Sequence, residues 1–377
     1  MSSELKIQMV DLQTQYHRLK PEIDAAMQEV IESSAFINGP AVKKFQAGLG
    51  EYLNAKHVIT CGNGTDALQA ALVALDLQSG DEVITTAFTF IATVEVIGLM
   101  KLTPVLVDVD PHTYTIIPEQ VEAAITDRTK AIIPVHLFGQ GADMIKLKEI
   151  ARKHDLYLIE DAAQCLGADY TTEQGQQKLG TIGNIGCTSF FPSKNLGCFG
   201  DGGACITNDD KLAEKLRMFV NHGAKIKYYH ETIGVNSRLD TLQSAILNVK
   251  LPHLNDFNKR RQAAASFYDN AFKDIDGIDI PGRNPGSEHV FHQYVLRVKN
   301  GKRDELKEWL KQRGIPAMVY YPVALHKQKA FEKWMTNDVS LPNSEMLTEE
   351  VLALPIHTEM TKEQLEHIKN GVLSFFE

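Results

Sequence analysis

The stretch His57-Val58-Ile59-Thr60-Cys61-Gly62-Asn63-Gly64-Thr65-Asp66-Ala67-Leu68 runs from an apolar segment through a Gly-Asn-Gly-Thr turn into a helical pattern. Behind it, Ala67, Leu68, Ala71, Leu72 and Leu75 recur at helical spacing. Gly80-Asp81 then turns the chain into a β-branched run, Glu82 to Thr85. Similar short runs follow at Pro104 to Val109, Ala131 to Val135, Tyr157 to Ile159 and Thr188 to Phe191. Strand-like runs alternating with helix-period stretches predict parallel strands joined by crossover helices. The expectation is an α/β layer with a mostly parallel sheet.

After Leu251-Pro252-His253 the texture changes. A charged helix-like stretch, Asn255 to Phe272, leads to a turn-rich segment with Pro281, Gly282, Pro285 and Gly286, then to isolated strands such as His292 to Val298. The last helix opens on a capping-box pattern, Thr361-Lys362-Glu363-Gln364, with Leu365, Ile368, Val372 and Phe375 on one face. The 377 residues therefore divide into a large domain, 1–250, and a smaller α+β C-terminal domain, 251–377.

Composition narrows the function classes. With 44% hydrophobic and 23% charged residues the chain is an ordinary globular protein, not a disordered or collagen-like one. Lys plus Arg number 39 against 48 Asp plus Glu, a net charge of −9 with no basic stretch, which speaks against a nucleic-acid partner. The start, MSSELKIQMVDLQTQY, has no charged segment leading into an apolar one, and no long apolar run occurs. A cytoplasmic protein without a membrane partner is expected. Five scattered cysteines without a CxxC pair fit neither a disulfide framework nor a zinc site, and the 13 histidines include no HExxH, so no metal is expected.

Three motifs can carry chemistry. In the first, Gly64, Thr65 and Asp66 open a helix whose unpaired N–H groups form a ready phosphate site. The same residues also satisfy a loose dinucleotide fingerprint, Gly62-x-Gly64-x-x-Ala67, with Asp81 or Glu82 at the distance of a ribose contact, so a nicotinamide enzyme is a rival reading. In the second, the run Tyr157 to Gln164 ends a strand in Glu160-Asp161, at the edge where open α/β sheets bind ligands. Asp161 either caps a following helix or faces a heterocyclic nitrogen and holds it protonated. In the third, Lys194 follows an aromatic run amid small and glycine residues. Most lysines are solvated surface charges, but a desolvated one has a depressed pKa and can bond covalently to an aldehyde cofactor. Phosphate cup, carboxylate and lysine together are the parts of a pyridoxal phosphate site.

The chain resembles the DegT/DnrJ/EryC1/StrS sugar aminotransferases, which share the aspartate-aminotransferase fold (PLP fold type I). The resemblance runs nearly end to end, through GNGTDAL (62 to 68), GDEVITTAFTFIAT (80 to 93), IEDAAQ (159 to 164), TSFFPSKNLG (188 to 197), GDGGA (200 to 204), GVNSRLD (234 to 240) and VYYPVALH (319 to 326). It implies that Lys194 is the lysine that bonds pyridoxal 5'-phosphate and acts as the base, that Asp161 is the pyridinium partner, and that Gln164 lies near the ring hydroxyl. Thr65, the Asp66 backbone and Ser189 would hold the phosphate, and Phe90 would stack on the ring. Asn236 would arrive from a neighbouring subunit, which implies a homodimer with shared active sites. Dehydratase relatives carry His at the lysine position, so Lys194 favours transamination.

Within the family the wording is similar to enzymes acting on 3-keto nucleotide sugars, including UDP-2-acetamido-3-oxo-glucuronate, with glutamate as donor, in amino-sugar and surface-polysaccharide biosynthesis. The resemblance places Arg238, Tyr320, Tyr321 and His326 at the substrate. Tyr320-Tyr321 stands where the glucuronate branch has His-Tyr, so dTDP-3-keto-6-deoxyhexoses remain an alternative, as do 4-keto sugars. Arg238 could instead pair with Asp240, and the two tyrosines could be core aromatics. A non-catalytic, regulatory pyridoxal-phosphate protein is the other class of reading.

Overall fold

The computed structural model describes residues 5–335 and 339–377. Seven strands form the central sheet: β1 (His57–Cys61), β2 (Glu82–Thr86), β3 (Thr103–Val107), β4 (Thr129–Ile133), β5 (Tyr157–Asp161), β6 (Ile185–Ser189) and β7 (Gly203–Thr207). Their order across the sheet is β1-β7-β6-β5-β4-β2-β3. The pairs β2 with β3, β2 with β4, β4 with β5, and β5 with β6 are parallel, and β7 runs antiparallel to both neighbours. The mostly parallel α/β sheet expected from sequence is therefore present. β7 was not anticipated, because its Gly200-Asp201-Gly202-Gly203 lead-in reads as a loop.

This topology brings the chemistry-bearing motifs to one edge. The carboxyl ends of β1, β2, β5 and β6 lie together, and the first residue of β7, Gly203, pairs with Cys61 on one side and Ser189 on the other. Around the sheet pack α1 (Leu12–Ser33), α2 (Pro40–Leu53), α3 (Gly64–Ala74), α4 (Ala92–Leu99), α5 (Pro118–Ala123), α6 (Met144–Lys153), α7 (Asp210–Phe219) and α8 (Thr241–Lys250). One face buries Leu68, Leu72, Ile97 and Leu216 of α3, α4 and α7, and the other buries Val121, Leu147 and Ile150 of α5 and α6. Covering both faces is what a parallel sheet requires.

The C-terminal part has a core of its own. A three-stranded antiparallel sheet, β8 (Ile278–Asp279), β9 (Tyr294–Val298) and β10 (Val351–Leu354), packs with α9 (Leu254–Phe272), α10 (Arg303–Lys311) and α12 (Lys362–Phe376), while α11 (Pro342–Glu350) leads into β10. Tyr268, Phe272, Leu296, Leu306, Leu352 and Ile368 are fully buried there. The capping box forms as read: Thr361 Oγ1 accepts from Gln364 N, and Gln364 Oε1 from Thr361 N. The chain's beginning also packs here. Ile7 joins this core, and the Lys6 carbonyl accepts from Gln364 Nε2 at 2.9 Å.

Candidate active site

At the end of β1, Asn63 caps α3 by accepting from Asp66 N at 2.8 Å. The cap occupies the Asp66 N–H, so the free donors of this helix end are the N–H groups of Gly64 and Thr65. The Asp66 carboxylate turns inward, where Ser237 Oγ donates to it at 2.6 Å and itself accepts from Gly62 N at 2.8 Å. Gly64 lies against Ser189 at the end of β6: a Cβ at Gly64 would stand 2.7 Å from Ser189 Cβ. Helix dipole, two free N–H groups and a hydroxyl thus converge in a cup that suits a phosphate.

Asp161 ends β5 at 6% exposure. Its Oδ2 accepts from Thr93 Oγ1 at 2.7 Å and its Oδ1 from Ala163 N at 3.2 Å. Burial raises its pKa, against the lowering effect of those bonds and of the Lys194 charge. No helix follows it; the chain turns instead into a hairpin, Asp169–Thr172 with Gly175–Lys178, so the helix-capping alternative does not hold. Its neighbour Glu160 points to the other face. Burial alone would raise the Glu160 pKa, but His136 Nε2 at 2.9 Å and the N–H groups of Gly180, Ile182 and Gly183 together lower it. Two adjacent carboxyl groups are therefore driven apart, one anchoring a loop and one left for a ligand.

Lys194 sits in an irregular loop after β6. Its N–H donates to the Phe191 carbonyl at 2.8 Å, Leu196 is fully buried, and the Gly197 carbonyl accepts from Lys250 Nζ at 2.8 Å. A Cβ at Gly197 would lie 2.2 Å from the Pro192 carbonyl oxygen, so the turn admits only glycine. The Lys194 side chain is partly exposed and has no hydrogen-bond or ion-pair partner among the described residues. Burial of the ammonium lowers its pKa to about 8, against the opposing pull of Asp161.

Phe90 follows β2 and is 54% exposed. It lies 6.2 Å from the Tyr321 ring. The Tyr321 hydroxyl accepts from Gln164 Nε2 at 3.2 Å, and Gln164 Oε1 accepts from Phe138 N at 2.7 Å. Tyr320 is partly buried beside Tyr321. The segment after them is fastened to the β2 loop by Leu325 N donating to the Ala87 carbonyl at 2.8 Å.

Other expected residues form no hydrogen bond with this group among the described residues. Asn236 is exposed and bridges to Asn221. Arg238 is partly buried and forms no ion pair among the described residues, so its pairing with Asp240 does not hold. His326 is buried, with Nε2 2.9 Å from Glu345 Oε1 of α11 and Nδ1 without a partner. The nicotinamide alternative also loses its ribose contact: Glu82 lies at the amino end of β2, buried, bound by Arg128, Thr126 and Thr129. Sequence reading missed Thr93 and Ser237. Thr93 sits one turn beyond Phe90 and Ser237 between Asn236 and Arg238, both inside quoted motifs, and only the fold assigns them their carboxylates.

The carboxyl edge of the mostly parallel sheet gathers a helix end with two free N–H groups, a buried carboxyl and a lysine without a partner among the described residues, a set that suits an aminotransferase. The sequence pattern described as the DegT/DnrJ/EryC1/StrS aminotransferase family matches residues 17–373, and the chain belongs to that family. It is 48% identical to a pleiotropic regulatory protein of Geobacillus stearothermophilus over 99% of both chains. It is 44% identical to the UDP-2-acetamido-2-deoxy-3-oxo-D-glucuronate aminotransferase of Pseudomonas aeruginosa, over 93% of this chain and 95% of that one. Among solved structures it is similar to S. venezuelae DesV in complex with a ketimine intermediate, with a TM-score of 0.95 and 39% identity over 99% of each chain. No helix among the described residues is long and apolar enough to cross a membrane.

Proposed function

We propose that this sugar aminotransferase uses pyridoxal 5'-phosphate to move an amino group from glutamate to a 3-keto nucleotide sugar. The observation that carries the reading is the Lys194 amine, unpaired and with its pKa lowered to about 8, within the electrostatic reach of buried Asp161. The residues fit the cofactor: two free N–H groups and Ser189 for its phosphate, Asp161 for its ring nitrogen, exposed Phe90 for a ring face, Gln164 for its hydroxyl, and Lys194 to hold it covalently. Bound there, pyridoxal phosphate supplies an electron-accepting ring and a carbon that carries the amino group between donor and acceptor.

The chain's own groups do the rest. Near pH 8 a large fraction of Lys194 is neutral, so Nζ could take the proton from the donor's α-carbon and return it to the carbon on the far side of the amino nitrogen, two bonds away. Asp161, oriented by Thr93 and Ala163, would hold a proton at the cofactor's ring nitrogen. One base serves both half-reactions. Asn236 and Arg238 reach the site from a second subunit, in a homodimer with shared sites, and Arg238, Tyr320, Tyr321 and His326 meet the sugar. Two relatives, a UDP-2-acetamido-2-deoxy-3-oxo-D-glucuronate aminotransferase and a dTDP-3-amino-3,4,6-trideoxy-alpha-D-glucose transaminase, support a 3-keto substrate. Five free, buried cysteines support a reducing, cytoplasmic setting.

The regulatory name of the 48% identical relative favours one second reading, a pyridoxal-phosphate protein without turnover. The half-reaction with glutamate separates the two. Purified protein loaded with cofactor is expected to lose its visible lysine–cofactor band on adding glutamate and to regain it on adding a 3-keto nucleotide sugar. A band unmoved by glutamate would leave only the regulatory reading standing.

A further inference from the structure

Among the described residues the Lys194 side chain makes no hydrogen bond of its own, so what anchors it is the backbone it springs from, and that backbone is held by its neighbours. Asn195 follows it directly, at 5% exposure. Its Nδ2 donates to Asn258 Oδ1 on α9 at 2.7 Å and to the Val290 carbonyl at 3.0 Å, while Oδ1 is buried without a partner. Asn258 donates in turn to the Leu166 carbonyl at 3.2 Å. One turn further along α9, Arg261 Nη1 reaches the carbonyls of Phe291 and His292 at 3.2 Å and of Ile356 at 3.0 Å. One helix face therefore fastens the lysine loop, the turn after β5 and the 290–292 segment in a buried polar seam.

Such a seam is a costly way to gain stability, since apolar side chains of the same shape would do as well, and an unsatisfied buried oxygen carries a desolvation penalty. What directed hydrogen bonds add is a fixed geometry. We propose that Asn195 is a positioning residue for Lys194: its amide, seated between Asn258 and the Val290 carbonyl, fixes the backbone from which the amine reaches cofactor and substrate. The inference rests on the reading of Lys194 as the cofactor lysine.

The test is a double-mutant cycle on the full chain with Asn195→Ala, Asn258→Ala and both, beside a control elsewhere on α9. Tyr268→Phe serves as control, because it removes a hydrogen bond to the Pro355 carbonyl while leaving every hydrogen bond of Asn195 and Asn258 in place. Three quantities are read: the rate at which apoprotein gains the lysine–cofactor band when pyridoxal phosphate is added, the pKa of that band, and the single-turnover rate with glutamate against its KM. Each seam variant is expected to slow both rates about tenfold and shift the band's pKa with little change in KM, since small displacements of a reacting group are costly. The double variant is expected to be no slower than the slower single one, and Tyr268→Phe to match wild type at a comparable loss of thermal stability. Losses that multiply in the double variant, or an Asn195→Ala protein with wild-type rates and band pKa, overturn the proposal. If Asn195→Ala does not accumulate, Asn258→Ala against Tyr268→Phe decides alone, with equal rates overturning it. Wild-type protein that forms no band overturns the cofactor-lysine reading itself, a different result.

Discussion

Two lysines of this protein are candidates for a reactive amine, because burial lowers both Lys194 and Lys250 to about 8. Their surroundings separate them. Lys250 is 2% exposed, donates to the Gly197 carbonyl and lies 4.8 Å from the Phe199 ring, so its charge is held in place, whereas the Lys194 amine has no partner. Borohydride reduction of the cofactor-loaded protein is expected to fix the label on Lys194. Lys250→Met should keep that label, and Lys194→Ala should lose it together with turnover, a loss of at least about a thousandfold for a missing general base. Because only the neutral amine attacks an aldehyde, the rate of band formation in apoprotein should climb as pH rises through about 8 and level off above it. A flat rate from pH 6 to 10 would speak against the lowered pKa. Thr93→Val removes one hydrogen bond to Asp161, worth about 1 kcal/mol, and should slow turnover by roughly fivefold while raising the Asp161 pKa further. Lys194 and Asp161 were legible as candidates because each residue type stands in a local frame, a strand end or a small-residue loop, that draws attention to it. Thr93 and Ser237 were not, since they act on carboxylates 68 and 171 residues away in sequence.

Among the elements, α3 shows most directly how sequence becomes a binding site. Asn63, two residues beyond β1, caps the helix and thereby leaves Gly64 and Thr65 as donors at the cup. Asn63→Ala should cost about 1 kcal/mol of stability through the lost cap. Gly64→Ala tests the cup itself: helical backbone accepts alanine, but the added methyl would stand 2.7 Å from Ser189 Cβ and push the strand end and the helix end apart. The expected result is a pyridoxal phosphate affinity lower by about tenfold, the order of one lost charge-assisted hydrogen bond, at little change in melting temperature. An unchanged dissociation constant would remove the phosphate from this helix end. The strands that were readable are those with β-branched runs, and their ends moved by up to three residues where register decides: β6 ends at Ser189, not Phe191, because its pairing with β7 ends at Gly203. β7 and the helices α1 and α2 were not read, because Gly-rich lead-ins and mixed helical stretches acquire meaning only from what they pack on, here Phe45 and Leu49 against Phe190 and Leu247.

For the whole molecule the open surface is the argument. A hairpin, Ala224–Ile226 with Tyr229–His230, leads toward Asn236 and Arg238 and exposes Ile226, Tyr229 and, at 79%, Tyr228, while Ile233 in the segment after it is 90% exposed. Apolar side chains grouped on a projecting ribbon lose free energy in water and gain it against a second copy, and they travel with the two residues that our functional reading draws from the partner. Shared sites make a prediction that separate sites do not. Lys194→Ala removes the amine, and Asn236→Asp sets a carboxylate against the cofactor phosphate, so each variant alone should form homodimers with two defective sites. In a dimer of one of each, the chain with Asn236→Asp keeps its own Lys194 and receives an intact Asn236 from its partner, which restores one site. Equal co-expression of differently tagged variants should therefore recover about a quarter of wild-type turnover, and the purified mixed dimer about half, because statistical pairing gives half mixed dimers with one good site in two. If the mixed dimer is as inactive as its parents while wild type turns over normally, Asn236 acts within its own chain and the shared-site reading fails, and a protein that sediments as a monomer at micromolar concentration would remove its premise.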